Sequence, residues 1–248
     1  MSFLKSVIFD WEKVKNREKY PFSIPALSQL HKLDMDHNVI FFIGENGTGK
    51  STLLEAIAFK CGFGNIGGGK YNIFDNPDDS LRLESIMTLS WMPKVNNGFL
   101  LRAETFFDFA NYIDELAKDP FNRRGQVYAP YGGKSLHEQS HGEAFLSLFT
   151  NRFRGMGLYI LDEPEAALSP QRQFAFLRII RQLEQLGKAQ FLIATHSPIL
   201  MAYPDALIYS FDKDRMKQVE YEETEHYQLT KAFLNNRKSF LKKLFEDK

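Results

Sequence analysis

Short apolar runs, bounded by turn-forming residues, recur along the chain and predict a series of β-strands. These runs span residues 6–9, 39–43, 85–91, 99–103, 158–161, 190–194 and 206–211. The runs at 39–43 and 158–161 lack the alternation of apolar and polar positions that is typical of a sheet with one face in water. We therefore expect these strands to be buried on both faces.

Apolar residues at helical spacing lie between several of these strands. The predicted helices span residues 50–59, 106–116, 142–153, 170–186 and about 225–245. Ser169 suits the N-cap of the fourth helix, Pro170 its first turn, and Gly187 follows its last turn. The alternation of helices with buried strands predicts an α/β fold with a mostly parallel central sheet. The stretches 62–76 and 120–140 show no period, and we expect long loops or flaps there.

Composition narrows the class of protein without naming a function. The chain has 248 residues, of which 44% are hydrophobic and 25% charged, as in ordinary soluble globular domains. Lys and Arg together number 31, as do Asp and Glu, which excludes a uniformly basic nucleic-acid binder. The lone Cys61 excludes an intrachain disulfide and fits a reducing compartment. Because apolar runs are short and the N-terminus lacks a leader-like core, we expect a cytoplasmic protein with no integral membrane segment.

Phenylalanine is unusually frequent, with 23 residues. Those in predicted strands and helix faces are expected to fill the core: Phe41, Phe42, Phe174, Phe176 and Phe191. Those beyond the 99–103 strand and near the C-terminus are expected where a lobe or partner docks: Phe106, Phe107, Phe109, Phe233, Phe240 and Phe245. A structure can test this division.

A glycine-rich loop with phosphate-binding chemistry follows the strand at 39–43. Its sequence fits G-x-x-x-x-G-K-[ST] between a strand and a helix, the context that this motif requires. Its backbone N–H groups can surround phosphate oxygens while Lys50 reaches the terminal phosphates and the Ser51 hydroxyl ligates Mg²⁺. The predicted nucleotide-binding residues here are Gly44, Glu45, Asn46, Gly47, Thr48, Gly49, Lys50, Ser51 and Thr52. The later glycine run ending at Lys70 precedes no helix, which favours a plain loop over a nucleotide or partner contact.

Two further strands end in residues suited to nucleotide chemistry. Asp162 and Glu163 follow the run at 158–161, and ligands of open α/β sheets bind at this edge. Asp162 is predicted to hold Mg²⁺, and Glu163 to deprotonate the attacking water. His196 follows the run at 190–194, where a catalytic hydrogen bond to the γ-phosphate is the interpretation we set against a structural role.

These motifs, in this order, resemble those of the ABC-type ATPases. The segment 139–143, Gln-Ser-His-Gly-Glu, is similar to the ABC signature: Ser140, Gly142 and Glu143 match it, whereas Gln139 and His141 depart from it. In that family the signature of one subunit faces the nucleotide held by another. The resemblance therefore implies a homodimer formed on ATP binding, in which Ser140 and Gly142 contact the nucleotide and Ser140 is catalytic.

The resemblance also assigns a branch and a domain plan. The run 162–170 resembles the SMC-like, RecF-like and overcoming-lysogenization-defect-type predicted ATPases, with Ser169 as a departure from their usual histidine. Glu104 stands where the family has a glutamine and is a candidate metal ligand. The resemblance implies one ATPase domain over residues 1–248, with a helical lobe at roughly 104–150. An amphipathic helix at roughly 225–246 completes it.

Three functions remain as alternatives at this point. The first is a Mg²⁺-dependent ATP hydrolase whose dimer regulates a partner protein or a nucleic-acid process. The second is an ATP-gated binding module with little hydrolysis, and the third is the energy subunit of a transporter. The C-terminal segment is basic and amphipathic. It either docks on the body or offers a site for nucleic acid or a partner, and Arg123, Arg124, Arg152 and Arg154 either add to a basic rim or simply face solvent.

Overall fold

A computed structural model describes residues 2–63, 82–152, 156–211 and 215–246. The predicted loop at 62–76 and Arg154 therefore lie wholly or largely outside the described residues. The strands are β1 Leu4–Phe9, β2 Lys32–Asp34, β3 Val39–Ile43, β4 Met87–Trp91, β5 Gly98–Arg102, β6 Gly157–Asp162, β7 Ala189–Ala194, β8 Leu207–Phe211 and β9 Met216–Gln218. The α-helices are α1 Pro25–Ser28, α2 Lys50–Lys60, α3 Phe106–Lys118, α4 Arg124–Tyr128, α5 His141–Arg152, α6 Pro170–Gln185, α7 Pro198–Met201, α8 Glu225–Asn235 and α9 Arg237–Glu246.

The strands form a central parallel sheet and a smaller antiparallel one. The central sheet has the order β5-β6-β7-β3-β8-β9, and only the edge strand β9 runs antiparallel to its neighbour. The small sheet has the order β2-β1-β4. The expected α/β fold with a mostly parallel sheet is confirmed, and β3, β6 and β7 are buried along their whole length.

The register of the central sheet brings three predicted motifs to one edge. Ala194 of β7 pairs with Phe42 of β3 on one side and with Asp162 of β6 on the other. The carboxyl ends of these parallel strands are therefore level. The residues that immediately follow β3, β6 and β7 must meet at the same edge of the sheet.

Two apolar clusters cover the two faces of the central sheet. Ile40 and Phe42 of β3 point to one face, together with the buried side of α2 and the small antiparallel sheet. Val39, Phe41 and Ile43 of β3 point to the other face, together with α3, α5 and α6. The first is called here the α2 face and the second the α5 face.

Gln190 attaches the antiparallel sheet to the central one. Its side chain is fully buried, and its Oε1 accepts hydrogen bonds from the backbone N–H groups of Phe3 and Leu4 at 3.0 and 2.7 Å. Its Nε2 donates to the carbonyls of Leu4, Met35 and His37 at 2.7–3.0 Å. One side chain thus satisfies backbone groups at the start of β1 and after β2, which would otherwise be orphaned in the interior.

The predicted C-terminal helix is wrong in one respect, because the structure divides it into α8 and α9. Asn236 leaves the helical region with φ −144° and ψ 54°, and its Oδ1 accepts a hydrogen bond from the N–H of Ser239 at 3.4 Å. An asparagine that caps a new helix in this way interrupts the old one. Phe233 and Phe240 meet across the break, edge to face, with ring centroids 5.6 Å apart.

Other differences follow from local geometry. The stretch 120–140 is wrong as a plain loop, because it contains α4 and the 3-10 turns 129–131 and 136–138. The run at 85–91 begins as a 3-10 turn, Leu83–Ile86, before β4 starts. The short strands β2 and β9 were missed because three-residue segments carry too little periodicity.

The predicted division of the phenylalanines is confirmed only in part. Phe41, Phe42, Phe176 and Phe191 are fully buried, as expected. Phe174 lies on the outer side of α6 and is 57% exposed, which corrects its assignment to the core. Phe106 and Phe109 are buried on the inner side of α3, so neither is available for docking. Phe107, on the same helix, is exposed.

Candidate active site

The glycine-rich loop joins β3 to α2 at the aligned edge of the sheet. Gly49, the N-cap of α2, has φ 101° and ψ 9°, and a Cβ there would lie 2.7 Å from the side chain of Ile24. Gly44 has φ 137°, and a Cβ would lie 2.7 Å from the carbonyl oxygen of Phe211. Both positions therefore require glycine for conformation and for space. The loop ends at the N-terminus of α2, whose dipole favours an anion.

Lys50 is folded back into the loop that precedes it. Its side chain is almost fully buried, and its Nζ donates to the carbonyls of Gly44 and Glu45 at 2.7 and 2.8 Å. Burial lowers the pKa of Lys50, while the charges of Glu163, Asp162 and Glu165 oppose that shift. A buried ammonium that is satisfied by carbonyls alone can exchange them for phosphate oxygens.

The other predicted loop residues lie around this lysine. A cleft beside the loop is lined by Gly44, Glu45, Asn46 and Thr48, and by Glu163 and His196 on its far wall. The Thr48 hydroxyl donates to the carbonyl of Glu45 at 2.8 Å. Thr52 shares a 2.8 Å hydrogen bond with the hydroxyl of Tyr20.

A second, smaller cleft holds the residues predicted to bind Mg²⁺. Ser51, Asp162 and Glu104, the predicted ligands, line it together with Glu163, the predicted base. Asp162 is buried, and its Oδ1 is without a hydrogen-bond partner among the described residues. Burial raises the pKa of Asp162, opposed by a hydrogen bond from Ser51 and the charge of Arg102. An orphaned carboxylate oxygen beside a serine hydroxyl fits a Mg²⁺ ion, which prefers oxygen ligands.

Arg102 enters this cleft from the end of β5 and was missed by the sequence analysis. Its guanidinium is ion-paired with Glu55 and lies 3.4 Å from Asp162 Oδ2 and 3.8 Å from Glu104 Oε1. It is the counter-ion that the clustered carboxylates require. Across the described ranges, no group of three or more His, Cys, Asp or Glu side chains is arranged to hold a metal by itself. A Mg²⁺ ion here would need phosphate or water oxygens as further ligands.

Glu163 and His196 face each other at the mouth of the first cleft. Glu163 adopts φ 51° and ψ 49°, a left-handed conformation that is costly for a residue with a side chain. Its N–H donates to the carbonyl of Ala194 at 2.9 Å, and its Oε1 lies 3.5 Å from Nε2 of His196. Burial and the charge of Lys50 lower the pKa of His196, which keeps the imidazole neutral at pH 7. The strained backbone thus places a carboxylate beside a neutral imidazole.

Glu165 contacts the backbone of His196 and so supports the pair formed by Glu163 and His196. Its Oε1 accepts a 2.5 Å hydrogen bond from the backbone N–H of His196. Burial raises the pKa of its carboxyl, although hydrogen bonds to the carboxylate oppose the shift. The contact links the turn after β6 to the turn after β7. The sequence offered one signal, since Glu165 lies three residues after Asp162 in the run 162–170.

Ser140 and Gly142, the signature residues, are not part of this assembly within one chain. They lie at the start of α5, whose inner side packs in the cluster of the α5 face, whereas α2 packs on the opposite face. Arg172 of α6 covers them: its Nη2 donates to the Ser140 hydroxyl at 3.1 Å and lies 3.3 Å from Glu143 Oε1. The Ser140 N–H donates to Glu143 Oε2 at 3.1 Å.

Comparison with known proteins identifies matching families and related sequences. Residues 135–202 match the family "AAA domain, putative AbiEii toxin, Type IV TA system", and residues 21–105 match the family "AAA domain". A xylose/arabinose import ATP-binding protein, XylG of Sulfolobus acidocaldarius, is 30% identical over 78% of this chain and 82% of its own length. A ribose import ATP-binding protein, RbsA of Streptococcus agalactiae, is 29% identical over 64% of this chain. The chain spans 35% of the length of that relative.

Solved structures show the same fold. An ABC transporter of metal-chelate type in an inward-facing conformation aligns with a TM-score of 0.56 and 17% identity, covering 93% of this chain and 88% of that one. An ATP-binding cassette of an ABC transporter aligns with a TM-score of 0.50 and 15% identity, covering 90% and 93%.

The glycine-rich loop between a buried strand and a helix, on a parallel sheet with acidic residues at the same edge, defines a P-loop nucleoside triphosphatase. The relatives narrow the class further. The chain belongs to the ABC-type P-loop ATPases, which bind ATP. In the part of the chain that the structure describes, no helix is long and apolar enough to cross a membrane.

Proposed function

We propose that this chain is a Mg²⁺-dependent ATP hydrolase that forms an ATP-sandwiched homodimer and uses it to regulate a partner. The observation that carries the proposal is the division of its motifs between two faces. Lys50, Asp162, Glu163 and His196 meet at one edge of the sheet, whereas Ser140 is presented at the start of a helix on the α5 face. A second copy can bring its own Ser140 to that edge.

The residues at the edge have complementary tasks in hydrolysis. Lys50 and the loop N–H groups bind the β- and γ-phosphates, in place of the carbonyls that Lys50 contacts without nucleotide. Ser51 and Asp162, with Glu104 at the rim, would hold Mg²⁺, which supplies charge neutralisation on the phosphates. Glu163 accepts a proton from the attacking water.

The remaining two residues stabilise charge on the transferred phosphoryl group. The neutral His196 donates a hydrogen bond from Nε2 to a γ-phosphate oxygen. Ser140 of the second chain approaches the same phosphate from the opposite side, with the N-terminus of its helix α5. Water attacks the γ-phosphorus, the bond to the bridging oxygen breaks, and ADP and phosphate leave.

Mixing two inactive variants tests the dimer directly. Lys50→Ala destroys the phosphate site, and Ser140→Arg blocks the signature, so we expect each alone to lose about 100-fold or more in ATPase rate. In a mixed dimer, one site combines the intact loop of the Ser140→Arg chain with the intact signature of the Lys50→Ala chain. An equimolar mixture should therefore recover up to about a quarter of the wild-type rate, since half of randomly paired dimers are mixed.

The matched control adds an arginine elsewhere on the same lobe. Gln126→Arg lies on the exposed side of α4 and should leave the ATPase rate unchanged. Ser140→Arg must still bind ATP in equilibrium dialysis, because its phosphate loop is intact. Full activity of Ser140→Arg alone, or no recovery on mixing, would overturn the proposed sharing of sites between chains.

The names of the relatives favour one second candidate, the energy subunit of an importer. RbsA and XylG are import ATP-binding proteins, and ATP-driven dimerisation would serve that task equally well. Purification of a Glu163→Gln variant from membranes and from the lysate separates the two candidates. Capture of an integral membrane protein in stoichiometric amount supports the importer subunit, and capture of a nucleic acid or a non-membrane protein supports regulation.

A further inference from the structure

A second histidine contacts His196, the residue proposed to donate a hydrogen bond to the γ-phosphate. Nε2 of His226 lies 3.1 Å from Nδ1 of His196, and the two ring centroids are 5.3 Å apart with the planes tilted by 53°. His226 is the second residue of α8, thirty positions further along the chain. Both rings border the cleft beside the glycine-rich loop. The C-terminal segment therefore reaches the edge of the sheet where the phosphates are expected.

The start of α8 is fixed against the segment that carries His196. Thr224, its N-cap, is buried, and its hydroxyl oxygen accepts a hydrogen bond from the N–H of Tyr227 at 3.3 Å. The Tyr221 hydroxyl donates to the carbonyl of Pro198, two residues after His196, at 3.0 Å. These contacts hold His226 in place independently of its own hydrogen bond.

The outer nitrogens of the pair are both buried, and the nearest acceptor to Nε2 of His196 is Glu163 Oε1, 3.5 Å away. Nε2 of His196 and Nδ1 of His226 have no hydrogen-bond partner among the residues that the structure describes. Burial lowers the pKa of both rings, so each carries one proton at neutral pH. A neutral imidazole has one donor and one acceptor nitrogen, and the contact between the rings decides which is which.

The hydrogen bond between the rings makes the tautomer of His196 depend on the tautomer of His226. For His196 to donate from Nε2 towards a phosphate, its Nδ1 must be the acceptor, and then Nε2 of His226 must be the donor. The opposite arrangement would place the proton of His196 on Nδ1 and leave a lone pair facing the phosphate oxygens, which repels them. Only one of the two tautomers is compatible with the role proposed for His196.

We propose that His226 is a positioning residue, whose Nε2–H donates to Nδ1 of His196 and so holds the proton of His196 on Nε2, facing Glu163 and the γ-phosphate. This inference rests on the proposed function of His196. It assigns a role in the hydrolytic site to the C-terminal helix pair. Displacement of the start of α8 would release the constraint on His196.

Two substitutions separate the hydrogen bond from the bulk of the ring. His226→Phe keeps an aromatic ring but cannot donate, and we expect kcat to fall about tenfold with KM changed less than about twofold, as for other residues that orient a catalytic group. His226→Gln places an amide N–H close to the position of the imidazole Nε2 and should recover most of kcat. His31→Phe is the matched control, because it makes the same substitution at an exposed histidine outside the site, and it should keep the wild-type kcat.

A spectroscopic measurement needs no nucleotide. Nitrogen-15 chemical shifts of His196 distinguish protonation of Nε2 from protonation of Nδ1 in the free protein at pH 7.5. We expect the wild-type and His226→Gln proteins to show the Nε2–H tautomer. His226→Phe should show a mixture of tautomers or the Nδ1–H form.

The outcomes distinguish this inference from the proposed function. If His196→Ala abolishes hydrolysis but His226→Phe keeps kcat and the Nε2–H tautomer, His226 has no positioning role while the function stands. A wild-type His196 protonated on Nδ1 would overturn the inference even if no variant could be purified. If His196→Ala keeps the wild-type kcat, the role proposed for His196 itself is wrong.

Discussion

Each face of the central sheet carries a helix whose N-terminus could bind an anion, but the side chains around the two N-termini differ. On the α2 face, α2 begins with Lys50 and Ser51, and Asp162 and Glu163 of the same chain line the cleft beside Ser51. On the α5 face, the N-terminus of α5 has an arginine side chain over it. Both ends offer N–H groups to an anion, but only the first has the remaining chemistry beside it. In the proposed dimer, one chain would supply the glycine-rich edge of one phosphate site and the signature of the other.

The same contrast extends to how each region is held. The glycine-rich edge is set by backbone pairing, since the register of β3, β6 and β7 fixes where the residues after each strand lie. The start of α5 is held by side chains, through the contacts of Arg172 and Glu143 with Ser140. Side-chain contacts of this kind are weak and easily exchanged. In the proposed dimer, the start of α5 is therefore the region whose contacts would change on association.

The largest expected effect is on the α2 face, where Glu163→Gln should reduce kcat by about 10²–10⁴-fold because the general base is lost. Nucleotide binding should survive, because the isosteric amide keeps the shape of the site. The ATP-bound dimer should then accumulate and be visible by light scattering at saturating Mg-ATP. The exposed Glu222→Gln is the control, with the same loss of charge on the nearby C-terminal segment. A Glu163→Gln protein that stays monomeric would contradict the dimer model.

Gln190→Leu tests how far the α2 face depends on its antiparallel sheet. The leucine leaves two buried N–H groups and three carbonyls without partners. With about 1–3 kcal/mol for each buried group that stays unsatisfied, we expect a loss of at least about 3 kcal/mol in the free energy of unfolding. Urea denaturation measures it, and the exposed Gln182→Leu on α6 should change stability by less than about 0.5 kcal/mol. A Gln190→Leu protein as stable as the wild type would mean that apolar side chains alone attach the antiparallel sheet to the central one.

Arg172→Ala removes the side chain that lies over the start of α5, on the α5 face. We expect ATP-driven dimerisation to weaken by about 3–10-fold, because a cation beside Ser140 favours the arrival of the partner's phosphate. Sedimentation velocity in a Glu163→Gln background measures this without hydrolysis. Arg178→Ala, an exposed arginine on the same helix, is the matched control. Tighter dimerisation of Arg172→Ala would instead show that Arg172 blocks the start of α5 and must move before the chains associate.

Most of the α2 face could be predicted from the sequence, because its signals are local. The spacing of Gly44, Gly49 and Lys50, and an acidic pair after an apolar run, each report on a few consecutive residues. Parallel pairing then brings these motifs together without further information. The roles of these residues in binding and hydrolysis stay predictions.

The missed residues share the opposite property. Arg102, His226 and Gln190 act through partners 30 to 187 positions away in the chain. No local pattern marks them, because a hydrogen bond to a distant group leaves no period in the sequence. The break at Asn236 was missed for another reason: asparagine is tolerated inside helices, and only its conformation shows that it caps the next one.

The smallest expected effect compares Glu165, beside His196 at the glycine-rich edge, with Glu143 at the start of α5. Burial raises the pKa of Glu165 above its ordinary value of 4.5, whereas hydrogen bonds from Ser140 and the charge of Arg172 lower the pKa of the exposed Glu143. A raised carboxyl pKa means that the folded state binds more protons, so its stabilising contribution is complete below pH 4.5 and is lost as the pH rises through the folded pKa. A lowered pKa gives a contribution that is present above pH 4.5 and is lost on acidification.

Glutamine variants should therefore shift stability in opposite directions at pH 7. Glu165→Gln keeps an acceptor for the His196 N–H and removes the buried charge, so we expect the melting temperature to rise, by an amount equivalent to less than about 1 kcal/mol. Glu143→Gln should lower it slightly. The Glu165→Gln difference should shrink as the pH falls through the raised pKa of Glu165 and be lost by pH 4.5, whereas the Glu143→Gln difference should persist to pH 4.5 and shrink on further acidification, through the lowered pKa of Glu143. Glu165→Ala, which removes the acceptor as well, should be less stable than Glu165→Gln at every pH. Shifts of the same sign for the two glutamine variants would mean that the two regions hold their carboxylates in the same way, and that the contrast between them lies in geometry alone.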